Sequence, residues 1–162
     1  MIKAFGQIAD KYPDWKVKIF GKGDMHEDLQ TFIDEKGLTE RVLLCGRTET
    51  PFKELKKSKV FVLSSHYEGF PNVLCEGMYA GLGCISSDCV SGPRELINDG
   101  ENGFLFPVGN EKILAEKLNL LLSSDEICDI IGCRAKNTVK RLYLPVIVDK
   151  WYNCLRGVAD EA

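Results

Sequence analysis

The sequence predicts an α/β fold in which a doubly wound parallel sheet carries helices on both faces. Short apolar runs typical of strands alternate with amphipathic segments of helical period along the 162 residues. The run VFVLSS at residues 60–65 has almost no polar alternation, which indicates a strand buried on both faces. Parallel neighbours need helical crossovers between them, so this alternation itself points to a layered architecture.

The first half of the chain contains three predicted strands. Residues 1–11 are predicted to be helical, and Pro13 ends that segment before the strand WKVKIF at 15–20. The next helix is indicated by apolar residues at helical spacing and by a glycine suited to its C-terminal cap: Met25, Leu29, Phe32, Ile33 and Gly37. The strand RVLLCG (41–46), a short helix at 51–57 and the strand at 60–65 follow.

The second half contains two more strands and the longest helices. A helix at 72–80 ends at Gly81 and leads to the strand CISSD (84–88), and the turn-rich segment NDGENG (98–103) leads to FLFPV (104–108). Asn110 and Ser124 each start a helix, and a final helix covers Pro145 to Leu155. We expect Trp151 and Tyr152 on it to be buried in the domain's own core, the alternative being exposure toward a partner domain.

Length and composition predict one globular domain over residues 1–162 and exclude several function classes. A net charge of −3 gives no field for collecting nucleic acid. Seven cysteines without a Cys-x-x-Cys pair predict reduced thiols and no metal site. No run of 18 apolar residues and no signal peptide are found in the sequence.

Two carboxylates frame the predicted start of a helix in the stretch HYEGFPNVLCEG. Glu68 precedes the helix and Glu76 lies one turn inside it, with Gly69 and Pro71 between them. The unpaired amides at a helix start suit a phosphate, and the glycine lets the backbone approach it. Carboxylates on either side can accept hydrogen bonds from sugar hydroxyls, as in dinucleotide-binding folds. Acidic residues near a helix start also serve merely as partners of the helix dipole, and the residues alone leave both readings open.

The segment from Ser64 to Asn110 resembles the C-terminal, donor-binding domain of retaining GT-B glycosyltransferases of family 4, the glycosyl transferases group 1. Its mark is the Glu-x7-Glu motif, here Glu68 and Glu76. KVKIFGKGD (16–24) and RVLLCGR (41–47) extend the resemblance over nearly the whole chain. Gly77 and Gly83 stand where the family more often has Ala and Pro. The resemblance implies a Rossmann-like sheet whose first strand is missing from this sequence.

The resemblance implies that the ligand is a nucleotide diphosphate sugar, with UDP or GDP as the nucleotide. Glu68 is then the catalytic residue facing the transferred sugar, and Glu76 holds the ribose hydroxyls. Further donor-binding residues carried over from the family are Gly69, Phe70, Pro71, Asn72, Val73 and Leu74 around the helix start, and Gly21, Gly23 and Arg47 near the base and ribose. Arg94 and Glu95 in SGPREL are assigned structural roles first.

The resemblance also implies the reaction and what the chain lacks for it. The expected enzyme is a retaining, metal-independent hexosyltransferase of glycan, polysaccharide or glycolipid synthesis, without a cofactor and without an Asp-x-Asp motif. In the family, an N-terminal acceptor-binding domain and an Arg and a Lys that grip the phosphates precede the region matched here. We therefore expect this polypeptide alone to transfer no sugar. The implied location is cytoplasmic, including the inner face of the membrane.

Two other functions remain open at this point. Nucleotide-sugar epimerases share the architecture, but the EGFPNVLCE and GPREL runs follow the transferase pattern. A non-catalytic nucleotide-binding Rossmann module is the third possibility. The sequence has no Gly-x-Gly-x-x-Gly fingerprint after a first strand, which counts against it.

Overall fold

The computed structural model describes residues 1–160 and confirms the alternation of strands and helices. The strands are β1 (Val17–Phe20), β2 (Val42–Gly46), β3 (Val60–Leu63), β4 (Gly83–Ser87) and β5 (Phe104–Phe106). The helices are α1 (Ile2–Gly6), α2 (His26–Glu35), α3 (Pro51–Leu55), α4 (Asn72–Tyr79), α5 (Pro93–Leu96), α6 (Glu111–Leu122), α7 (Asp125–Val139) and α8 (Leu144–Asp160). Short 3-10 turns follow α1 at Ala9–Lys11 and α7 at Lys140–Leu142. The sequence did not predict α5.

The strands form two parallel sheets instead of one. β1 pairs with β2, with Val17 opposite Val42, and β4 pairs with β3 on one side and β5 on the other. Within the described residues no strand joins β1 to β3. The strand order is therefore β2-β1, a gap, and β3-β4-β5.

The gap explains why one prediction about burial is wrong. The apolar strand β3 was expected to be buried on both faces, yet Val60, Phe61 and Val62 are only half-buried. All five residues of β4 are buried, because β4 has a paired neighbour on each side. An apolar run indicates that a strand is suited to a sheet covered on both faces. Its actual burial depends on which strands and helices lie beside it.

Helix α1 packs against both sheets and connects them on one face. Its Ala4 belongs to the core of the three-stranded sheet, together with Ile85 and residues of α6 and α7. Its Ile2 and Phe5 belong to the core of the two-stranded sheet, with Ile33 of α2. A third core, which includes Leu63, Leu74 and Met78, lies between α4, α7 and the opposite face of the three-stranded sheet.

Local signals read from the sequence mark the helix ends correctly. The side chains of Asn110 and Ser124 accept hydrogen bonds from the amides of Ile113 and Ile127, which is the geometry of an N-cap. Gly37 and Gly81 have positive φ just beyond α2 and α4, as expected of C-terminal caps. Each of these signals acts over a few residues, so they do not depend on how the strands pair.

The C-terminal helix α8 corrects a second prediction. Trp151 is 65% exposed and Tyr152 is 59% exposed, so they are not buried in the core of this domain. The main packing of α8 is against the 3-10 turn at Lys140–Leu142. No residue of 144–157 belongs to the three cores. None of the helices described is both long enough and apolar enough to cross a membrane.

Gly132 of α7 packs tightly against the turn that joins α4 to β4, and this contact gives a prediction about stability. A Cβ at Gly132 would lie 2.1 Å from the carbonyl oxygen of Gly81, which is backbone and cannot move away cheaply. We expect Gly132→Ala to lower the free energy of unfolding by roughly 2–3 kcal/mol through overpacking.

The matched control is Gly157→Ala in α8, where a Cβ would have no neighbour within 4 Å. This variant should gain about 0.5–1 kcal/mol from helix propensity. Urea unfolding of both variants measures the two effects, and equal effects would contradict the close approach of α7 to Gly81.

Candidate functional site

The loop after β3 carries the Glu-x7-Glu stretch to the surface. Residues 64–71 connect β3 to α4, and the helix begins at Asn72. Gly69, Phe70 and Asn72 are exposed and Glu68 is half-buried, while Pro71 is buried beneath them. The N-terminal end of α4 is therefore open to solvent, which a binding site for an anion requires.

The amides at this helix start are partly occupied by local hydrogen bonds. The amide of Asn72 donates to the carbonyl of Phe70 at 2.9 Å, and that of Leu74 donates to Pro71 at 2.9 Å. The amide of Val73 has no acceptor within the described part of the chain, and the residue is 46% exposed. The side chain of Leu74 is fully buried, so this residue can serve a ligand only through its backbone.

Glu76 projects from α4 into a groove between the two sheets. Glu76 is exposed. It lines the groove together with Val73 and with Ser64 and Ser65, which follow β3. The acidic side chain is thus beside the helix start and is not turned into the packed interior. This placement leaves it free to accept hydrogen bonds from a ligand at the end of the strands.

The loops after β1 and β2 border the same groove from the other sheet. Phe20, Met25 and Thr48 line it, but Gly21, Gly23 and Arg47 themselves do not. Gly21, Gly23 and Arg47 lie on these two loops, and Gly23 and Arg47 are exposed. The amide of Gly21 donates to the carbonyl of Gly46 at 2.8 Å. Glu68, Gly69, Phe70 and Asn72 are also outside the groove lining, on the open loop in front of α4.

A second loop supports the Glu68–Pro71 loop from beneath. The hydroxyl of Ser91 donates to the carbonyl of Glu68 at 2.6 Å and approaches that of Gly69 at 3.3 Å. Gly92 has φ +89, and a Cβ there would lie 2.4 Å from Cδ of Pro71 and 2.7 Å from the carbonyl oxygen of Gly69. Ser91 and Gly92 thus hold the backbone that precedes α4.

An ion pair fixes the supporting loop in turn. The Arg94 guanidinium binds both carboxylate oxygens of Asp88, and this interaction lowers the pKa of the Asp88 carboxyl below its ordinary value. The hydroxyl of Ser87 donates to the carbonyl of Ser65 at 2.6 Å and joins the ends of β4 and β3. Arg94 therefore has a structural contact, in agreement with the role assigned to it from the sequence.

Sequence reasoning missed Ser91, Gly92 and Ser87 as parts of the site's support. A Gly-Pro pair at 92–93 signals a turn, but nothing local indicates that it touches Pro71, some twenty residues away. The contact exists because β3 and β4 are parallel neighbours, so the loops that follow them meet at one edge of the sheet.

The fold and the position of this site define a Rossmann-like domain of the GT-B glycosyltransferase class. Residues 1–138 match the family model described as Glycosyl transferases group 1. The chain belongs to this family. A similar solved structure supports the same class. It is that of a Staphylococcus aureus TarM variant in complex with fondaparinux, α-GlcNAc-glycerol and UDP; the similarity covers 94% of this chain, with a TM-score of 0.86 and 29% identity.

Two curated relatives are similar over most of this chain. The N-acetylgalactosamine-N,N'-diacetylbacillosaminyl-diphospho-undecaprenol 4-alpha-N-acetylgalactosaminyltransferase of Campylobacter jejuni is 34% identical over 140 residues, 86% of this chain and 38% of the relative. The exopolysaccharide phosphotransferase SCO2592 of Streptomyces coelicolor is 32% identical over 151 residues, 93% of this chain and 16% of the relative. The chain also spans 31% of the TarM structure, so it corresponds to one part of each of these proteins.

The contact between Gly92 and Pro71 gives a prediction about the site's support. Gly92→Ala adds a methyl group into the Gly69–Pro71 backbone and also strains a positive φ. We expect a loss of about 2–4 kcal/mol in the free energy of unfolding, the sum of strain and overpacking.

Gly100→Ala is the matched control, because Gly100 has φ +81 but no atom within 4 Å of an added Cβ. It should cost only the strain, about 1 kcal/mol. Urea unfolding of the two variants compares them, and similar losses would mean that Gly92 does not support the loop.

Proposed function

We propose that this chain is the donor-binding domain of a retaining hexosyltransferase that uses a UDP- or GDP-sugar. One observation carries the proposal: the open start of α4 lies between the exposed Glu76 and the half-buried Glu68, at the carboxyl ends of parallel strands. A diphosphate at the helix start would meet the helix dipole and the amide of Val73. Family membership supports the same ligand class.

The two glutamates take different roles in this proposal. Glu76, beside the groove, accepts hydrogen bonds from the ribose hydroxyls. Glu68 faces the transferred sugar from the loop that Ser91 supports, and is the catalytic residue. The backbone of Gly69, Phe70, Pro71 and Asn72 lies against the sugar and the diphosphate, whereas Gly21, Gly23 and Arg47 lie toward the base and ribose. Phe70, which is 47% exposed, provides an apolar surface next to Glu68.

The chemistry proposed for this site is transfer with retention of the anomeric configuration. Departure of a nucleoside diphosphate develops negative charge, which fixed dipoles and cations stabilise best when they are already in place. Two carboxylates beside the diphosphate increase the need for cations, and Lys22 and Arg47 lie on the loops that follow β1 and β2. We propose protein cations in this role and no metal cofactor.

We further propose that the 162-residue chain binds the donor but does not transfer the sugar alone. The loop from Glu68 to Asn72 is open to solvent on its outer side, and no acceptor surface among the described residues covers it. Transfer requires water to be excluded and an acceptor hydroxyl to be positioned. An acceptor-binding domain on the N-terminal side is the proposed partner, in a cytoplasmic enzyme at the inner face of the membrane that serves glycan, polysaccharide or glycolipid synthesis.

Calorimetric titration of the chain with UDP, GDP and NAD tests the ligand class. We expect UDP or GDP to bind and NAD to bind more weakly than either, because the site suits a diphosphate with one nucleoside. Preferential binding of NAD would favour a dinucleotide-binding module.

An assay with labelled UDP-sugars and a lipid and polysaccharide extract tests whether the isolated chain transfers sugar. Transfer by the isolated chain would refute the proposed inactivity, and epimerised sugar in the mixture would indicate an epimerase.

Glu76→Gln tests the ribose assignment. The change keeps the shape of the side chain but removes its charge, so nucleotide affinity should fall by about 1.5–3 kcal/mol, the value of a charge-assisted hydrogen bond. Glu116→Gln on the exposed side of α6 is the control and should leave affinity unchanged. Calorimetry measures both variants, and an unaltered affinity for Glu76→Gln would contradict the assignment.

A further inference from the structure

The loop that carries Glu68 is tied to the rest of the domain by one hydroxyl, that of Ser91. Within the part of the chain that the structure describes, residues 66–69 have no other hydrogen-bond partner. The hydroxyl oxygen lies 2.6 Å from the carbonyl oxygen of Glu68 and 3.3 Å from that of Gly69. A hydroxyl has a single proton to donate, so the shorter contact with Glu68 is the hydrogen bond.

The carboxylate of Glu68 is placed by its backbone. It makes no side-chain hydrogen bond and no ion pair with any described residue. Glu76 differs, because it stands on α4, which is anchored by the fully buried Leu74 and Met78. A shift of the loop would therefore move Glu68 and leave Glu76 in place.

The segment that contains Ser91 is fixed at both of its ends. The amide of Asp88 donates to the carbonyl of Phe106 in β5 at 2.8 Å, and Leu96, at the end of α5, is buried in a core. The Arg94 guanidinium binds both carboxylate oxygens of Asp88 and closes the segment on itself, with Ser91 midway between them. A fixed donor thus meets a loop that has no other hydrogen bond within the described residues, so Ser91 determines where the loop lies.

We propose that Ser91 is a positioning residue for the sugar of the donor. Its hydroxyl places Glu68 against the sugar and thereby sets how strongly the sugar is bound, as distinct from the nucleotide. A carboxylate accepts a hydrogen bond from a sugar hydroxyl only within a narrow range of distance and angle, so a displaced Glu68 loses that bond. The inference rests on the proposed function, in which Glu68 faces the sugar and Glu76 the ribose.

Two other roles for Ser91 lead to different expectations. If Ser91 served only the stability of the domain, its loss would weaken the binding of the nucleotide and of the complete donor equally. If its hydroxyl touched the sugar directly, its loss would weaken sugar binding even when Glu68 has no carboxylate. Positioning predicts a loss confined to the sugar and dependent on Glu68.

The test titrates the 162-residue chain by calorimetry with UDP, UDP-glucose, UDP-galactose, UDP-N-acetylglucosamine, GDP and GDP-mannose. The measured quantity is the affinity of the tightest donor divided by that of its nucleoside diphosphate. We expect Ser91→Ala to lower this ratio about fivefold, the effect of one hydrogen bond, with an unchanged affinity for the nucleoside diphosphate. Ser123→Ala, which removes a hydroxyl that donates to the carbonyl of Leu120 at 2.9 Å at the end of α6, should leave the ratio unchanged.

A matched pair of variants separates the hydroxyl from the shape of the side chain. Ser91→Thr keeps the hydroxyl, whereas Ser91→Val has nearly the same shape without it, so any crowding by the added methyl group is common to both. Only Ser91→Val should lower the ratio. Urea unfolding of both variants verifies that they are folded under the conditions of the titration.

A double-mutant cycle shows whether Ser91 acts through Glu68. Glu68→Ala removes the carboxylate, and in that background Ser91→Ala should not change the ratio any further. A further loss would mean that Ser91 contacts the sugar itself, and the positioning role would then be wrong.

The remaining outcomes distinguish this inference from the proposed function. Equal ratios for Ser91→Thr and Ser91→Val, or equal losses of nucleotide and donor affinity in Ser91→Ala, would overturn the positioning role and leave the proposed function standing. Binding of UDP or GDP without binding of any of the donors would also overturn it, because Glu68 would then not hold the sugar. If neither UDP nor GDP binds, the proposed function fails and this inference fails with it.

Discussion

The fold depends on the packing of α1 across two sheets that share no backbone hydrogen bond within the described residues. Ala4 of this short helix is fully buried in one core, and Phe5, one residue later, is 2% exposed in the other. Beyond the helix, the Tyr12 hydroxyl donates to Asn119 of α6 at 2.8 Å and fixes the chain where it turns toward β1. Burial of apolar side chains thus holds the two sheets together, whereas a ladder of hydrogen bonds holds the strands together within each sheet.

The candidate site depends on the three-stranded sheet more than on the two-stranded one. The loops after β3 and β4 are held together by Ser87, Ser91 and Gly92, and these contacts set the position of Glu68 relative to α4. The loops after β1 and β2 approach the site across the groove, so their position relative to Glu76 depends on how the two sheets pack against each other.

The two carboxylates have different surroundings although they lie on one short stretch of chain. Glu76 stands on a regular helix whose underside is packed by Leu74 and Met78, both fully buried, so its direction is well determined. Glu68 lies on a loop, and its backbone is determined by a hydroxyl from another loop. A rigid group for binding and a loop group near the reacting sugar suit the roles proposed for them.

The sequence alone determined the order and type of the strands and long helices and the start of α4, because caps, turn glycines and apolar periods act over a few residues. It also indicated the pair Glu68 and Glu76, since their spacing is a property of the chain. Only the tertiary structure decided that the sheet is divided, that β3 is half-buried, that Trp151 is exposed, and that Gly92 supports Pro71. Each of these depends on which distant segments are neighbours, and strand pairing and helix packing join residues that no local pattern connects.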